Sequence, residues 1–397
     1  MSSVKKTIDL VYFNAGGGHR SAALALQEVV RLAQRAWSVR LVNLFEILDP
    51  NGTFRKVTGV APEDLYNFRL KRGWTLGLST ELKVLQSMIR MGHPTLLSKL
   101  EQHWQTHKTD LVVSLVPNFN KVLYQSIKSQ RPGVPFVTVM TDLADSPPNF
   151  WIEPGLNQQI VCGTARAVDQ AHAAGYSDKQ ISRTSGMILR PAFYNSVALD
   201  REQERCKLGL EPGRTTGIVM FGGHGSSQML RIAKSLTDVQ LIFMCGHNSA
   251  LAAQLNALQT SANHIAIGFT PNIERYMKLA DFFIGKPGPG SLSEAVQMNL
   301  PVITFKNAWT MPQERYNTTW VEEQGVGIVV TKQSALSQSV GKLIDNLQTF
   351  RMAAARIQNR AVFEVTDILA LQLASADATV LERLDEHSTD DLTAPCG

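Results

Sequence analysis

Residues 284–317 read IGKPGPGSLSEAVQMNLPVITFKNAWTMPQERYN, and this stretch decides the fold. It leaves an apolar run, Phe282-Phe283-Ile284, turns through Lys286, Gly288 and Gly290, and enters a short helix starting near Ser291. A second apolar strand follows, then a polar loop. A glycine turn at a helix start leaves backbone N–H groups unpaired where the helix dipole also favours negative charge. Lys286 adds a formal positive charge beside them, so the turn can hold a phosphate. Glu294 lies one turn into the helix, within reach of a sugar hydroxyl. Gln313, Glu314 and Asn317 follow the next strand, at the edge where open parallel sheets bind their ligands. The same residues also allow a plainer role. Ser291 and Glu294 have the spacing of a capping box, and glycines before a helix are often only turns. Phosphate turn, acidic residue and Q-E-x-x-N together favour the ligand site.

The run resembles the nucleotide-sugar signature of GT-B glycosyltransferases. Within that group it is similar to the monogalactosyldiacylglycerol synthase family, whose pattern resembles K-x-G-P-G-T/S-x-x-E-A…P…Q-E-x-x-N. A related class is the lipid-linked N-acetylglucosaminyltransferase of peptidoglycan synthesis. The matching residues are Lys286, Gly288, Pro289, Gly290, Ser291, Glu294, Ala295, Pro301, Gln313, Glu314 and Asn317. Pro287 stands where a small residue is expected, and Arg315 and Tyr316 fill positions often taken by smaller ones.

A chain of 397 residues has room for two domains, each with its own core. Its 44% hydrophobic and 18% charged content is that of a globular protein rather than a disordered one. No apolar run approaches the roughly 20 residues that span a bilayer. The N-terminal MSSVKKTIDLVYFN is interrupted by Asp9 and lacks a small-residue cleavage site, so it is expected to be a first strand. The formal charge of +5 fits attraction to an anionic lipid surface, and no block of Lys/Arg with interleaved aromatics favours nucleic acid. Cys162, Cys206, Cys245 and Cys396 have no C-x-x-C spacing and suit the reduced thiols of a cytoplasmic protein.

Working outward to the N-terminus, residues 7–13 form a short apolar strand, followed by Asn14-Ala15-Gly16-Gly17-Gly18-His19 and a helical pattern over 21–34. This strand, glycine turn and helix opens a Rossmann-like unit without the G-x-G-x-x-G spacing of a dinucleotide site. His19 stands at the helix start, where it can serve as a general base or simply bond the turn. The run G-G-G-H-x-S-A resembles the family's first motif. That resemblance implies that His19 deprotonates the acceptor hydroxyl and that Gly17 and Gly18 face the acceptor.

Strands are expected at 39–44, 110–116, 135–140 and 160–162. Residues 46–107 are aromatic and basic, and Arg-Leu-Lys-Arg-Gly-Trp at 69–74 is amphipathic enough to rest on a membrane, or to be an ordinary solvated helix. Asp142 ends the third of these strands, where it can orient His19, bind the acceptor or cap a turn. The order T-D-L…W, ending in Trp151, resembles the family and implies that Trp151 lies in the acceptor region. Val116-Pro117 replaces a frequent His-Pro. Residues 186–193, GMILRPAF, resemble the family's hinge, with Ile188 in place of a proline.

Beyond the hinge, residues 216–221 and Gly222-Gly223-His224-Gly225-Ser226-Ser227 repeat the strand and glycine turn. The free N–H groups around Gly225 and Ser226 suit the donor's distal phosphate. His224 is a second candidate base, better placed as a structural residue or a phosphate contact. Further strands are expected at 239–245, 265–269 and 328–330. Cys245-Gly246-His247-Asn248 resembles the family's C-G-R-N, and Phe269 falls where that family meets the nucleotide base.

The expectation is an α/β protein of the GT-B type, two Rossmann-like domains facing a central cleft. Residues 1–194 form the acceptor domain and 195–365 the nucleotide-sugar domain. Residues 366–397 form a helix crossing back to the first domain and a tail that loosens from Asp385. The resemblance, spanning roughly 7–381, implies an inverting transfer of a hexose from a UDP-sugar to a lipid hydroxyl such as that of diacylglycerol. It places the protein peripherally on the inner face of the membrane. No D-x-D occurs, so Lys286 and the glycine turns would hold the leaving UDP without a metal or other cofactor. Two other readings stay open: a hydrolysing UDP-N-acetylglucosamine epimerase on the same fold, and a non-catalytic nucleotide-sugar sensor.

Overall fold

A computed structural model of the chain describes residues 5–14, 17–52, 78–195, 199–308 and 310–390, without the side chains of 78–81, 83 and 379–390. The segment 69–74 and most of the aromatic and basic residues of 46–107 lie outside the described residues.

Two parallel six-stranded sheets carry the chain. The first contains β1 (Lys6–Tyr12), β2 (Trp37–Asn43), β3 (Leu111–Ser114), β4 (Phe136–Val139), β5 (Gln159–Cys162) and β6 (Ile181–Arg183), in the order β2-β1-β3-β4-β5-β6. The second contains β7 (Thr216–Met220), β8 (Gln240–Gly246), β9 (His264–Gly268), β10 (Phe282–Gly285), β11 (Val302–Phe305) and β12 (Gly327–Val330), in the order β12-β11-β10-β7-β8-β9. Central strands covered on both faces are mostly apolar, and β3, β4, β5, β7 and β10 are buried at every residue, with Ser114, Thr138, Gln159 and Thr216 as buried polar members. β6 is the strand that apolar patterning does not announce: its three residues are half-buried or exposed, and only pairing to β5 defines it.

Strand order reverses once in each sheet. In the first sheet β2 lies on one side of β1 and β3 on the other; in the second β8 and β10 flank β7. Connections leaving in opposite directions open a crevice at the carboxyl ends of these strands. His19 follows β1, and Lys286 follows β10 beside the turn after β7. Both candidate motifs therefore stand at switch points.

The final helix, Ala361–Asp390, begins before residue 366 and continues past Asp385. Its Val362, Val365, Leu369 and Leu373 are buried with Ile8, Leu10, Ala22, Leu26 and Val113 in the first domain's core. The hinge is tied on both sides. The Arg190 guanidinium donates to the Pro271 carbonyl at 2.6 Å, and Ser185 donates through its N–H and hydroxyl to Glu364 at 2.7 and 2.9 Å. Asn359 Nδ2 donates to the Met187 carbonyl at 2.8 Å, and a Cβ on Gly186 would meet its side chain at 2.7 Å. Within the second domain Asp281 is buried among Arg201, Arg205 and Arg351. Burial alone would raise its pKa. The Thr216 N–H and the guanidinium groups outweigh this and hold the carboxyl below its ordinary value.

Candidate active site

At the first switch point, Gly17 adopts φ +82°, a left-handed conformation that glycine takes without strain. It caps helix Gly18–Leu32 without a side-chain bond and places His19 in the first turn. The imidazole packs edge-on to Phe13, centroids 6.3 Å apart, and tilted against Trp151 at 5.9 Å. Its Nδ1 lies 3.1 Å from the Thr141 hydroxyl, and the Leu115 carbonyl also bonds the ring. Desolvation pushes its pKa down to about 4, against the opposing pull of the Leu115 carbonyl. At neutral pH the ring is uncharged and able to accept a proton.

Asp142 is bonded to Trp151, whose Nε1 donates to its Oδ2 at 2.8 Å, while the polar side chain at His19 Nδ1 is that of Thr141. Trp151 is fully buried and held at every polar group. Its N–H donates to Asp145 at 2.6 Å, and its carbonyl accepts from Asn120 at 2.9 Å. It lies beneath His19 as part of the floor. Burial raises the Asp142 pKa to about 7; the Trp151 bond pulls it down, and from the second domain Glu314 raises it while Lys286 lowers it. The two halves of the site therefore face each other. Ser146 spans the same gap, its hydroxyl 3.3 Å from the Pro312 carbonyl.

At the second switch point, Lys286 Nζ lies 2.9 Å from Glu314 Oε1. Glu314 is buried, whereas the lysine is one-third exposed. A Cβ on Gly288 would come within 3.2 Å of Ser291 Oγ, 3.4 Å of Lys286 Cε and 3.6 Å of Glu314 Oε1. One on Gly222 would lie 3.9 Å from the same Cε, so Lys286 rests between the two glycine turns. The helix here is Pro289–Gln297, capped by Gly288 with no side-chain cap bond. The capping box suggested by Ser291 and Glu294 does not form; Ser291 donates to the Gly288 carbonyl at 3.4 Å. Gly290 faces open space. An uncapped first turn beside a lysine suits an anion.

The other candidates differ in exposure. Gly225 is buried at φ +59°, where a Cβ would meet Leu251 at 2.8 Å, and Ser226 Oγ accepts the Gln228 N–H at 3.2 Å. Asn317 is fully buried and donates to the Pro287 carbonyl at 2.7 Å, so it braces the turn from behind. Gln313 Nε2 lies 3.6 Å from Met311 Sδ, at the mouth of the second domain. Glu294 has its pKa raised to about 7 by burial, with Arg190 lowering it and Glu274 raising it. Phe269 is 63% exposed and stacks on His247, centroids 4.1 Å apart and planes 16° from parallel. His224 lies nearby, 5.8 Å from His247. Among the described residues no group of three or more His, Cys, Asp or Glu side chains could hold a metal, and no helix is long and apolar enough to cross a membrane. Cys162, Cys206 and Cys245 are free thiols.

Three contacts are not announced by any motif: Thr141, although within T-D-L, and Leu115 at His19, and His247, although within C-G-H-N, under Phe269. Each is a residue at or just past a strand's carboxyl end, and that position is the signal by which they could have been found.

Residues 19–187 match the family model described as monogalactosyldiacylglycerol (MGDG) synthase. Residues 218–371 match the glycosyltransferase family 28 C-terminal domain. The chain is 26% identical to monogalactosyldiacylglycerol synthase 2, chloroplastic, of Arabidopsis thaliana, over 91% of this chain and 79% of that protein. It is 26% identical to a probable monogalactosyldiacylglycerol synthase 2, chloroplastic, of Oryza sativa subsp. japonica, over 95% and 83%. Among solved structures it resembles Acinetobacter baumannii MurG, with TM-score 0.59 and 12% identity over 91% of this chain and 98% of that one. It also resembles Anabaena Alr3699/HepE in complex with UDP, with TM-score 0.55 and 16% identity over 93% and 100%.

Proposed function

We propose that this chain is a GT-B glycosyltransferase of the monogalactosyldiacylglycerol synthase type and that it moves a hexose from a UDP-sugar to the hydroxyl of diacylglycerol or a similar lipid, with inversion at the anomeric carbon. The observation that carries this reading is the pairing across one cleft of a neutral His19 with the Lys286–Glu314 ion pair. With Nδ1 engaged by Thr141, Nε2 of His19 takes the proton of the lipid hydroxyl. The oxygen attacks the anomeric carbon, and the bond from that carbon to the diphosphate breaks. UDP departs with the electron pair, its added charge met by Lys286 and the N–H groups of the glycine turns. As the diphosphate draws Lys286 away, the Glu314 carboxylate is released to hydrogen-bond the hexose, with Gln313 at its side. Glu294 holds the ribose, and the Phe269–His247 stack receives the uracil.

This charge balance calls for no divalent ion, and a chelator should leave turnover unchanged. On the acceptor side, the partly apolar helix Leu78–Met91 exposes Val84, Leu85, Met88 and Met91 next to Arg90. That combination supports peripheral attachment to an anionic membrane surface; attachment at the inner face, with the catalytic domains in the cytoplasm, is part of the proposal.

The test is UDP release from UDP-galactose, UDP-glucose and UDP-N-acetylglucosamine, with and without diacylglycerol in anionic vesicles, comparing wild type with His19→Ala. Lipid-dependent release that disappears in the variant supports the transferase and names the donor. Release that ignores lipid redirects the chemistry to epimerisation or hydrolysis. Bound UDP without release with any donor sinks the enzymatic reading for these acceptors and leaves a sensor.

A further inference from the structure

We propose that Thr141 is the positioning residue for His19, its hydroxyl fixing the proton on Nδ1 so that Nε2 is the nitrogen presented to the acceptor. The inference rests on the reading of His19 as the base. When the imidazole takes a proton at Nε2 it becomes an imidazolium, and its Nδ1–H needs an acceptor at that moment. Thr141 Oγ1 stands 3.1 Å from Nδ1. A carboxylate would be the stronger partner, and one is adjacent in sequence, yet Asp142 Oδ2 is taken by the Trp151 indole at 2.8 Å. The ring also occupies the first turn of helix Gly18–Leu32, whose positive end opposes an imidazolium. A neutral hydroxyl partner therefore lets the base stay unprotonated well below neutral pH, at the cost of weaker support for the charge it later carries.

The groups around the ring leave few alternatives. Phe13 from the end of β1 and Trp151 from the loop beneath are apolar faces. The carbonyl just past β3, that of Leu115, is the second acceptor. The titratable groups nearby are Asp142 and Asp145 on the Thr141 loop, and Glu314 and Lys286 opposite. Their charges act on Asp142, whereas burial and the Leu115 carbonyl set the proton balance of the ring.

Three variants, assayed by UDP release with diacylglycerol vesicles over a range of UDP-hexose concentrations, test the assignment. Thr141→Val keeps the shape and removes the hydroxyl. It should lower kcat by about tenfold or more, with the donor KM changed by less than about twofold. Thr141→Ser restores the hydroxyl and should recover most of that loss. Thr141→Asp supplies a charged acceptor and should move the acidic limb of the kcat/KM profile upward by about one pH unit or more. A wild-type kcat in Thr141→Val, or an unmoved limb in a folded Thr141→Asp, overturns the proposal. If His19→Ala is inactive in that same experiment, the base assignment survives the failure. If His19→Ala keeps wild-type kcat, the base assignment itself falls and Thr141 with it.

Discussion

At the crevice between β1 and β3 the candidate group is an uncharged imidazole packed among Phe13, Trp151 and Thr141. At the crevice between β7 and β10 it is an ammonium ion, paired with a carboxylate and one-third open to water. The two sheets offer the same topological opening and fill it with opposite electrostatics. On the proposed mechanism one half needs a group that gains a proton during the reaction, and desolvation keeps it neutral beforehand. On the same mechanism the other holds the donor's diphosphate, for which Lys286 and the backbone donors of the glycine turns are suited. The same kind of opening serves two roles because the residues set on it differ.

The largest effect should come from removing the imidazole. His19→Ala should lower kcat by about 10²- to 10⁴-fold while UDP binding, read by titration calorimetry, stays within about twofold. A loss of UDP affinity of the same size would erase the distinction between the two crevices. Lys286→Ala should act the other way round, weakening UDP by about 10- to 100-fold through loss of a charge-assisted contact. That weakening should shrink at high salt, since the lysine is partly exposed.

The pH dependence sharpens the contrast. With His19 lowered to about 4, the acidic limb of kcat/KM should fall nearer pH 4 than 6.5. The unfolded chain binds a proton at His19 below about pH 6.5 and the folded one does not, so this group costs stability as pH falls through that window. Asp142 has the opposite sign. Its folded pKa of about 7 lies above the ordinary 3.8, so its contribution is present at low pH and lost as pH rises through 7. Asp142→Asn still accepts the Trp151 indole N–H. Its melting temperature relative to wild type should climb between pH 4 and 7 and then level off; a constant difference would contradict a raised carboxyl. The smallest effect should be at the rim. Phe269→Ala removes one ring of an exposed stack and should weaken UDP by only a few-fold, on the order of 1 kcal/mol.

Much of this was legible in sequence where a residue's role is local. Apolar runs bounded by glycine gave the central strands, and Lys286, Gly288 and Glu314 stood together because a strand, a turn and a loop of fixed length bring them together. What pattern could not supply were roles set by distant packing. The resemblance implies that Trp151 belongs to the acceptor region; its full burial, held by the carboxylates of Asp142 and Asp145, is not visible in the motif. Asn317 belongs to the motif and is buried behind it, bracing Pro287. Ser291 and Glu294 have capping-box spacing, but the helix begins at Pro289 and their register is wrong for it. The contact of Thr141 with His19 became visible only when β4 and the first helix were brought side by side.

The helix Ala361–Asp390 fills the core of a domain whose first strand begins at Lys6. On the ribosome this sets an order of events. When the first sheet has been synthesised, the Val362, Val365, Leu369 and Leu373 that cover part of it do not yet exist. The nascent first domain must wait, with that apolar face bare, for the whole second domain to emerge. A nascent chain stalled before residue 361 should thus bind holdase chaperones through its N-terminal half, and a full-length one should not.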